Sequence, residues 1–137
     1  MDEMPRARIL IAEDSSAIAH VIRSALTAAG FSVTVARDGM EALLIAREQV
    51  FDLVISDEIM PRMNGCDLCR QLRNDPKYGA TPIIFVTSKR FEIEAQLKSE
   101  GVATEFMGKP FSPSELVATV ESTLGLSPYE PTVLEIR

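Results

Sequence analysis

The chain alternates between short apolar runs and longer stretches with helical spacing of apolar positions. Four apolar runs lie at residues 9–12, 53–56, 83–86 and 104–108. Runs of this length, rich in Ile and Val, are typical of parallel strands in a sheet that is covered on both faces. A further run at residues 31–36 alternates with period two, which also predicts a strand.

Five helical patterns separate and follow these strands, and most have recognisable ends. The first covers about residues 16–29, with Gly30 where a left-handed cap is favoured. Capping-box spacing at Asp38 and again at Ser112 predicts where the second and fifth helices begin. Asn64 opens the third helix, and the fourth is predicted at about residues 90–100.

This alternation predicts a doubly wound α/β domain with a five-stranded parallel sheet and five helices. Right-handed crossovers reduce the strand orders to a few, but periodicity alone leaves several open. The length of 137 residues fits one domain. We place it at residues 1–125, because two prolines after Leu126 end helical order, and residues 126–137 form a tail or the start of a linker.

Polar groups follow directly after four of the predicted strands. Glu13 and Asp14 follow the first, Asp57 the third, Thr87 the fourth and Lys109 the fifth. Because parallel strands place their carboxyl ends on one edge of the sheet, these side chains should meet in one crevice. Any one of them alone is more simply explained as a helix cap or a surface charge, but all of them together indicate a site.

The chemistry of this set is that of magnesium and phosphoryl groups. Clustered carboxylates repel one another unless a cation lies among them, and oxygen-only ligands favour Mg²⁺. Asp57 could attack phosphorus and become an acyl phosphate. Lys109 could pair with phosphoryl oxygens, and the Thr87 hydroxyl could donate a hydrogen bond to one of them.

Composition narrows the function classes further. A net charge of −6 lacks the basic footprint that direct nucleic-acid binding needs. No apolar stretch approaches the roughly 18 residues of a membrane helix, and the N-terminus does not have the pattern of a secretory signal. Two cysteines provide no disulfide framework, so we expect a cytoplasmic protein without a membrane partner.

Motifs over residues 7–125 resemble the receiver domain of response regulators, the CheY-like family of two-component signalling. The resemblance lies in Glu13-Asp14, the segment 57–61, Asn64-Gly65, Thr87-Ser88 and the segment 109–111. It implies the strand order 2-1-3-4-5. It also implies a sensor histidine kinase or a histidine phosphotransfer protein as phosphoryl donor, with an unknown output partner or domain. A dimer that forms on phosphorylation is left open.

The resemblance assigns each residue a role. Asp57 is the expected phosphoacceptor. Asp14, Asp57 and the backbone carbonyl of Ile59 are the expected direct ligands of Mg²⁺, and Glu13 the ligand through water. Thr87 and Lys109 contact the phosphoryl group, and Thr87 with Phe106 switches the face of the fourth helix, fifth strand and fifth helix. The Lys109-Pro110 bond is expected to be cis, an isomer that X-Pro bonds tolerate.

Glu13 and Phe106 are among the residues that depart from the common family pattern. Glu13 replaces an aspartate, which water-mediated binding tolerates, and Phe106 replaces the more frequent Tyr, so its buried side chain is apolar. Ile59 cannot orient an attacking water, which predicts slow self-dephosphorylation.

Three other functions agree less well with these residues. A phosphatase or phosphotransferase would usually have a second carboxylate at position 59, so no turnover of an external substrate is expected. A flavin carrier would want a hydroxyl- and glycine-rich loop in place of Glu13-Asp14. A receiver that serves only for interaction would not need this acidic set.

The remaining reactive residues have simpler interpretations. Cys66 and Cys69 lie on one predicted helix with no second cysteine pair or nearby histidine, so we interpret them as small hydrophobic residues. His20, the one histidine, is interpreted as structural.

Overall fold

The protein is a five-stranded parallel sheet with helices on both faces. The computed structural model describes residues 4–130, apart from the side chains of Arg90 and Phe91. The strands are β1 (Arg8–Ala12), β2 (Ser32–Ala36), β3 (Leu53–Asp57), β4 (Ile83–Thr87) and β5 (Glu105–Gly108). The helices are α1 (Ser16–Ala28), α2 (Gly39–Glu48), α3 (Gly65–Asn74), α4 (Arg90–Ser99) and α5 (Pro113–Leu124), with a 3₁₀ turn at Pro76–Tyr78.

The strand order is β2-β1-β3-β4-β5, and every neighbouring pair is parallel. The predicted fold class and strand order are therefore confirmed. Along each strand, alternate side chains enter two separate cores. Leu10, Val54 and Phe85 pack on the side of α2, α3 and α4. Ile9, Ile55 and Ile84 pack on the side of α1 and α5.

The predicted helix caps are present. The side chains of Asp38, Asn64 and Ser112 each accept a backbone N–H three residues ahead. The first helix is capped by Ser15 rather than by Asp14, which leaves the Asp14 carboxylate available for the site. Gly30 has a φ of 92°, and the hydrogen bonds from Gly30 to Thr27 and from Phe31 to Leu26 close the helix in a Schellman motif.

The segment after α5 has no helix or strand as far as residue 130, and residues 131–137 of the predicted tail lie outside the described residues. Leu126 nevertheless packs against the core on the α1 and α5 side. The backbone N–H of Tyr129 donates to the Glu121 carboxylate at 2.8 Å. The start of the predicted tail therefore lies against the domain, and the boundary at residue 125 stays a prediction.

Candidate phosphoacceptor site

Asp57 is the last residue of β3 and lies at the carboxyl edge of the sheet. Its side chain is only 9% exposed, and one carboxylate oxygen, Oδ1, lies 2.8 Å from the Lys109 Nζ. The same oxygen accepts the backbone N–H of Glu58 at 2.9 Å. The central position of β3 in the sheet thus places this carboxylate where the ends of β1, β4 and β5 converge.

The predicted acidic cluster forms at this point. Glu13, Asp14 and Asp57 each offer a carboxylate oxygen within 4.8 Å of the others. Glu13 and Asp57 are buried, whereas Asp14 is exposed. Burial raises the pKa of Glu13 to about 7; a hydrogen bond from the Ser15 N–H opposes this shift and the charge of Asp57 adds to it. The folded chain therefore holds these oxygens together at an electrostatic cost.

Among the described residues, Lys109 supplies the ammonium that contacts this cluster. It follows β5, and its peptide bond to Pro110 is cis, as predicted. Its Nζ lies 3.7 Å from the Glu13 Oε1 in addition to its contact with Asp57. Burial acts to lower the pKa of Lys109, but the hydrogen bond and charge of Asp57 outweigh it and raise that pKa.

One ammonium does not balance three carboxylates. The remaining negative charge and the oxygen-only donor set are what a hard divalent cation such as Mg²⁺ requires. The cluster is open on the side of Asp14, so a cation could keep water ligands there, as Mg²⁺ usually does. The residues present therefore fit the cation that the sequence predicts.

Thr87 ends β4, the strand next to β3, and is 1% exposed. Its hydroxyl accepts the backbone N–H of Lys89 at 2.9 Å, which is a local turn contact. The N-cap of α4 is Lys89, without a side-chain cap, so Thr87 does not cap this helix. The hydroxyl donates a hydrogen bond to the Glu58 carboxylate. Glu58 was not among the predicted site residues. The pairing of Asp57 with Val86 in the sheet places Glu58 beside Thr87, and only the strand register shows this.

Phe106 is buried on β5, with 2% of its surface exposed. Its ring centroid lies 6.2 Å from that of Phe85, with the two rings tilted by 60°. The Lys98 ammonium lies 5.8 Å from the centre of the Phe106 ring. The predicted switch aromatic thus has its ring in the core, between β4 and the end of α4.

The loop from β3 to α3 follows directly after Asp57. The Ile59 side chain is 68% exposed there and carries no group that could orient water. Arg62 has a left-handed φ of 65°, and its guanidinium binds Asp38, the cap of α2, at 2.9 Å. At Gly65 a Cβ atom would lie 2.0 Å from the Asp57 carbonyl oxygen, so the loop returns to β3 without space for a side chain.

Neither cysteine belongs to the acidic cluster, whereas His20 lines a cleft together with Glu13 and Asp14. Cys69 is fully buried, and burial raises its pKa to about 12. Burial also raises the pKa of the half-buried Cys66. Thiols with raised pKa values are poor nucleophiles, which favours their interpretation as small hydrophobic residues. His20 is exposed on α1.

Fold and site together define a doubly wound α/β domain with an acidic pocket at the carboxyl edge of its sheet. Residues 9–121 match the family model described as the response regulator receiver domain. The chain belongs to this family, and its acidic pocket fits the phosphoacceptor site of response regulators.

Curated relatives place the chain among two-component response regulators. It is 40% identical over 131 residues to the DNA-binding response regulator MtrA of Mycobacterium tuberculosis, covering 96% of this chain and 56% of that protein. It is 34% identical over 122 residues to the probable transcriptional regulator ycf27 of Pyropia yezoensis, covering 89% of this chain and 49% of that protein. The chain therefore spans about half the length of these relatives.

Solved structures show the same fold. The chemotaxis response regulator CheY4 of Vibrio cholerae superposes with a TM-score of 0.79 at 35% identity, over 85% of this chain and 98% of that one. The receiver domain of the sensor histidine kinase PA1611 of Pseudomonas aeruginosa has a TM-score of 0.79 at 26% identity, over 87% and 98% of the two chains. That structure has a magnesium ion coordinated in its active-site cleft.

No helix within residues 4–130 is long and apolar enough to cross a membrane.

Proposed function

We propose that Asp57 accepts a phosphoryl group from a phosphohistidine of a sensor kinase or a histidine phosphotransfer protein. The observation that carries the proposal is the position of its carboxylate. It belongs to the acidic cluster and also lies 2.8 Å from the Lys109 ammonium. An Asp57 oxygen would attack phosphorus while the phosphorus–nitrogen bond breaks. The imidazole would leave with that electron pair and take up a proton from water.

Residues around Asp57 would each support this transfer. Asp14, Asp57 and the Ile59 carbonyl would hold Mg²⁺ directly, and Glu13 would hold it through water. The bound ion would supply positive charge for the phosphoryl oxygens. Lys109 would neutralise a second phosphoryl oxygen, and the low exposure of Asp57 would limit access of bulk water. With Ile59 in place of a second carboxylate, the chain would turn over no external substrate.

Phosphorylation would act by shifting a conformational population. Phosphoryl contacts with Thr87 and Lys109 would favour one arrangement of Thr87 and Phe106, and the face of α4, β5 and α5 would change with it. The partner that reads this face is an output protein or an output domain; a phosphorylation-dependent dimer is a further form of output. The net charge of −6 favours an output without direct nucleic-acid contact by this domain. Two free cysteines and no disulfide framework favour a cytoplasmic location.

Intact mass tests the acceptor directly. After incubation with Mg²⁺ and a small acyl phosphate, the parent chain should gain one phosphoryl group. The gain should require Mg²⁺ and be absent in Asp57→Ala. Lack of an adduct in a parent chain that is folded by circular dichroism would contradict the proposal and favour an interaction module that works without phosphorylation.

The exposed Ile59 predicts a long-lived acyl phosphate. The adduct should persist well beyond seconds after the donor is removed, followed by intact mass over time. Ile59→Asn, which adds a side chain able to hydrogen-bond an attacking water, should shorten the lifetime. A parent half-life of only seconds would contradict this prediction.

A further inference from the structure

The Thr87 hydroxyl is already engaged before any phosphoryl group arrives. A hydroxyl has one proton to donate and two lone pairs to accept with. One lone pair receives the Lys89 N–H at 2.9 Å, and the proton goes to the Glu58 carboxylate. A phosphoryl oxygen carries no proton, so it can only accept a hydrogen bond from this hydroxyl. To do so it must replace Glu58 as the acceptor.

The backbone keeps Glu58 in position for this contact. Its N–H donates to the Val86 carbonyl at 3.2 Å and to the Asp57 Oδ1 at 2.9 Å. Its carbonyl accepts the Gly65 N–H at 2.9 Å, which fixes the start of α3. Glu58 thus extends the β3–β4 pairing by one residue, and its carboxylate lies beside Thr87 without rearrangement of either strand.

We propose that Glu58 is a positioning residue that holds Thr87 in the unphosphorylated domain and competes with the phosphoryl group for the hydroxyl proton. The inference rests on the proposed phosphorylation of Asp57. A hydrogen bond to an ionised carboxylate is among the stronger ones in proteins, so its loss opposes the gain at the phosphoryl group. Glu58 therefore sets how completely phosphorylation moves Thr87, and a chain without this carboxylate switches more readily.

The test is the affinity of the domain for beryllofluoride with Mg²⁺, a stable mimic of the phosphoryl group, measured by isothermal titration calorimetry. Glu58→Ala should bind about tenfold more tightly, the effect of losing one charge-assisted hydrogen bond from the free state. Glu58→Gln keeps an acceptor without the charge and should gain about threefold. Glu92→Ala removes an exposed carboxylate from the first turn of α4 and should leave the affinity unchanged.

A double-mutant cycle separates the hydrogen bond from the general effect of a negative charge. Thr87→Val removes the hydroxyl and keeps a β-branched side chain in the buried end of β4. In that background Glu58→Ala should change the affinity by less than about twofold, because the residue it acts through is gone. The same tenfold gain with and without the hydroxyl would overturn the inference, as would unchanged or weaker binding by Glu58→Ala.

The experiments distinguish a failure of the proposed function from a failure of the inference about Glu58. A parent chain that forms no phosphoryl adduct in the mass experiment would overturn the function and this inference with it. A parent chain that forms the adduct, while Glu58 and Thr87 show no coupling, would overturn the inference alone. Circular dichroism of each variant checks that the fold is retained, which the partial exposure of Glu58 favours.

Discussion

The two edges of the sheet use buried charge in opposite ways. At the carboxyl edge, three carboxylates share one ammonium, Lys109. At the amino edge, the Arg6 guanidinium lies 2.9 Å from the Glu121 carboxylate, and both side chains are mostly buried. Arg6 also donates to the carbonyls of Ala29 and Ser127, while Glu121 accepts the Tyr129 N–H. Charge is matched at the amino edge and unmatched at the site.

This difference separates stability from function. A matched, hydrogen-bonded ion pair fixes the chain segments that meet around it, and removing one partner leaves a buried charge. An unmatched cluster of carboxylates makes the folded state less stable until a cation binds. Such a cluster therefore serves binding and chemistry and does not serve stability. Variants at the amino edge should therefore change stability and leave function intact. Variants that remove a carboxylate at the carboxyl edge should raise stability and weaken function.

The largest effect on stability is expected at Arg6. Arg6→Ala should lower the free energy of unfolding by about 3 kcal/mol, because it leaves Glu121 buried without its partner. Chemical denaturation measures this loss. Phosphoryl uptake by the folded variant should stay normal. Arg47→Ala removes an exposed arginine of α2 and should change stability by less than about 0.5 kcal/mol. Equal stability of the two variants would contradict the contrast.

Substitution of Glu13 is expected to raise stability, opposite to the effect at Arg6. Its pKa rises from 4.5 in the unfolded chain to about 7 in the folded one, so the folded state binds the extra proton between these values. The contribution of Glu13 to the free energy of unfolding is therefore fully present below pH 4.5 and is lost as the pH rises through 7. Without divalent cation, Glu13→Gln should therefore be more stable than the parent at pH 8 by about 2 kcal/mol and lose this part of the pH dependence.

Addition of Mg²⁺ sharpens the Glu13 experiment. The cation should stabilise the parent more than Glu13→Gln, because only the parent has the full carboxylate set. Denaturation curves of both chains at pH 5 and pH 8, with and without Mg²⁺, give four stabilities for each chain. A Glu13→Gln chain that is less stable than the parent at pH 8 in metal-free buffer would contradict the electrostatic cost assigned to the site.

The smallest effect concerns Gly30, beside Arg6 at the amino edge. Gly30→Ala should cost about 1–2 kcal/mol, because an L-residue is strained at a left-handed φ. An added Cβ would also lie 2.9 Å from the Arg6 Cδ. Gly101→Ala is the matched control, since Gly101 has a φ of 69° and nothing within 4 Å of the added atom. Chemical denaturation should show a larger cost at Gly30 than at Gly101, because Gly30 is more crowded and its φ lies further from the left-handed region that L-residues can adopt. An equal cost at the two positions would contradict this prediction.

Local patterns in the sequence predicted much of this molecule, and contacts between distant segments were not predictable. Strand ends could be located because apolar runs stop abruptly, and the parallel sheet then brings Asp57 and Lys109 together. Helix starts could be located because a cap acts within three residues. Arg6 and Glu121 are 115 positions apart, and no periodicity relates them. The contact of Glu58 with Thr87 depends on strand register, which apolar runs alone do not determine.

The two residues of the Asn64-Gly65 motif meet different structural requirements. Asn64 is exposed and serves through an acceptor atom on the Asp67 N–H, so any short side chain with an oxygen in that place preserves the helix start. Position 65 is limited by volume, because a single methyl group would meet the Asp57 carbonyl. Position 64 should therefore tolerate substitution by another capping residue, whereas position 65 should accept only glycine, although both residues lie at the start of the same helix.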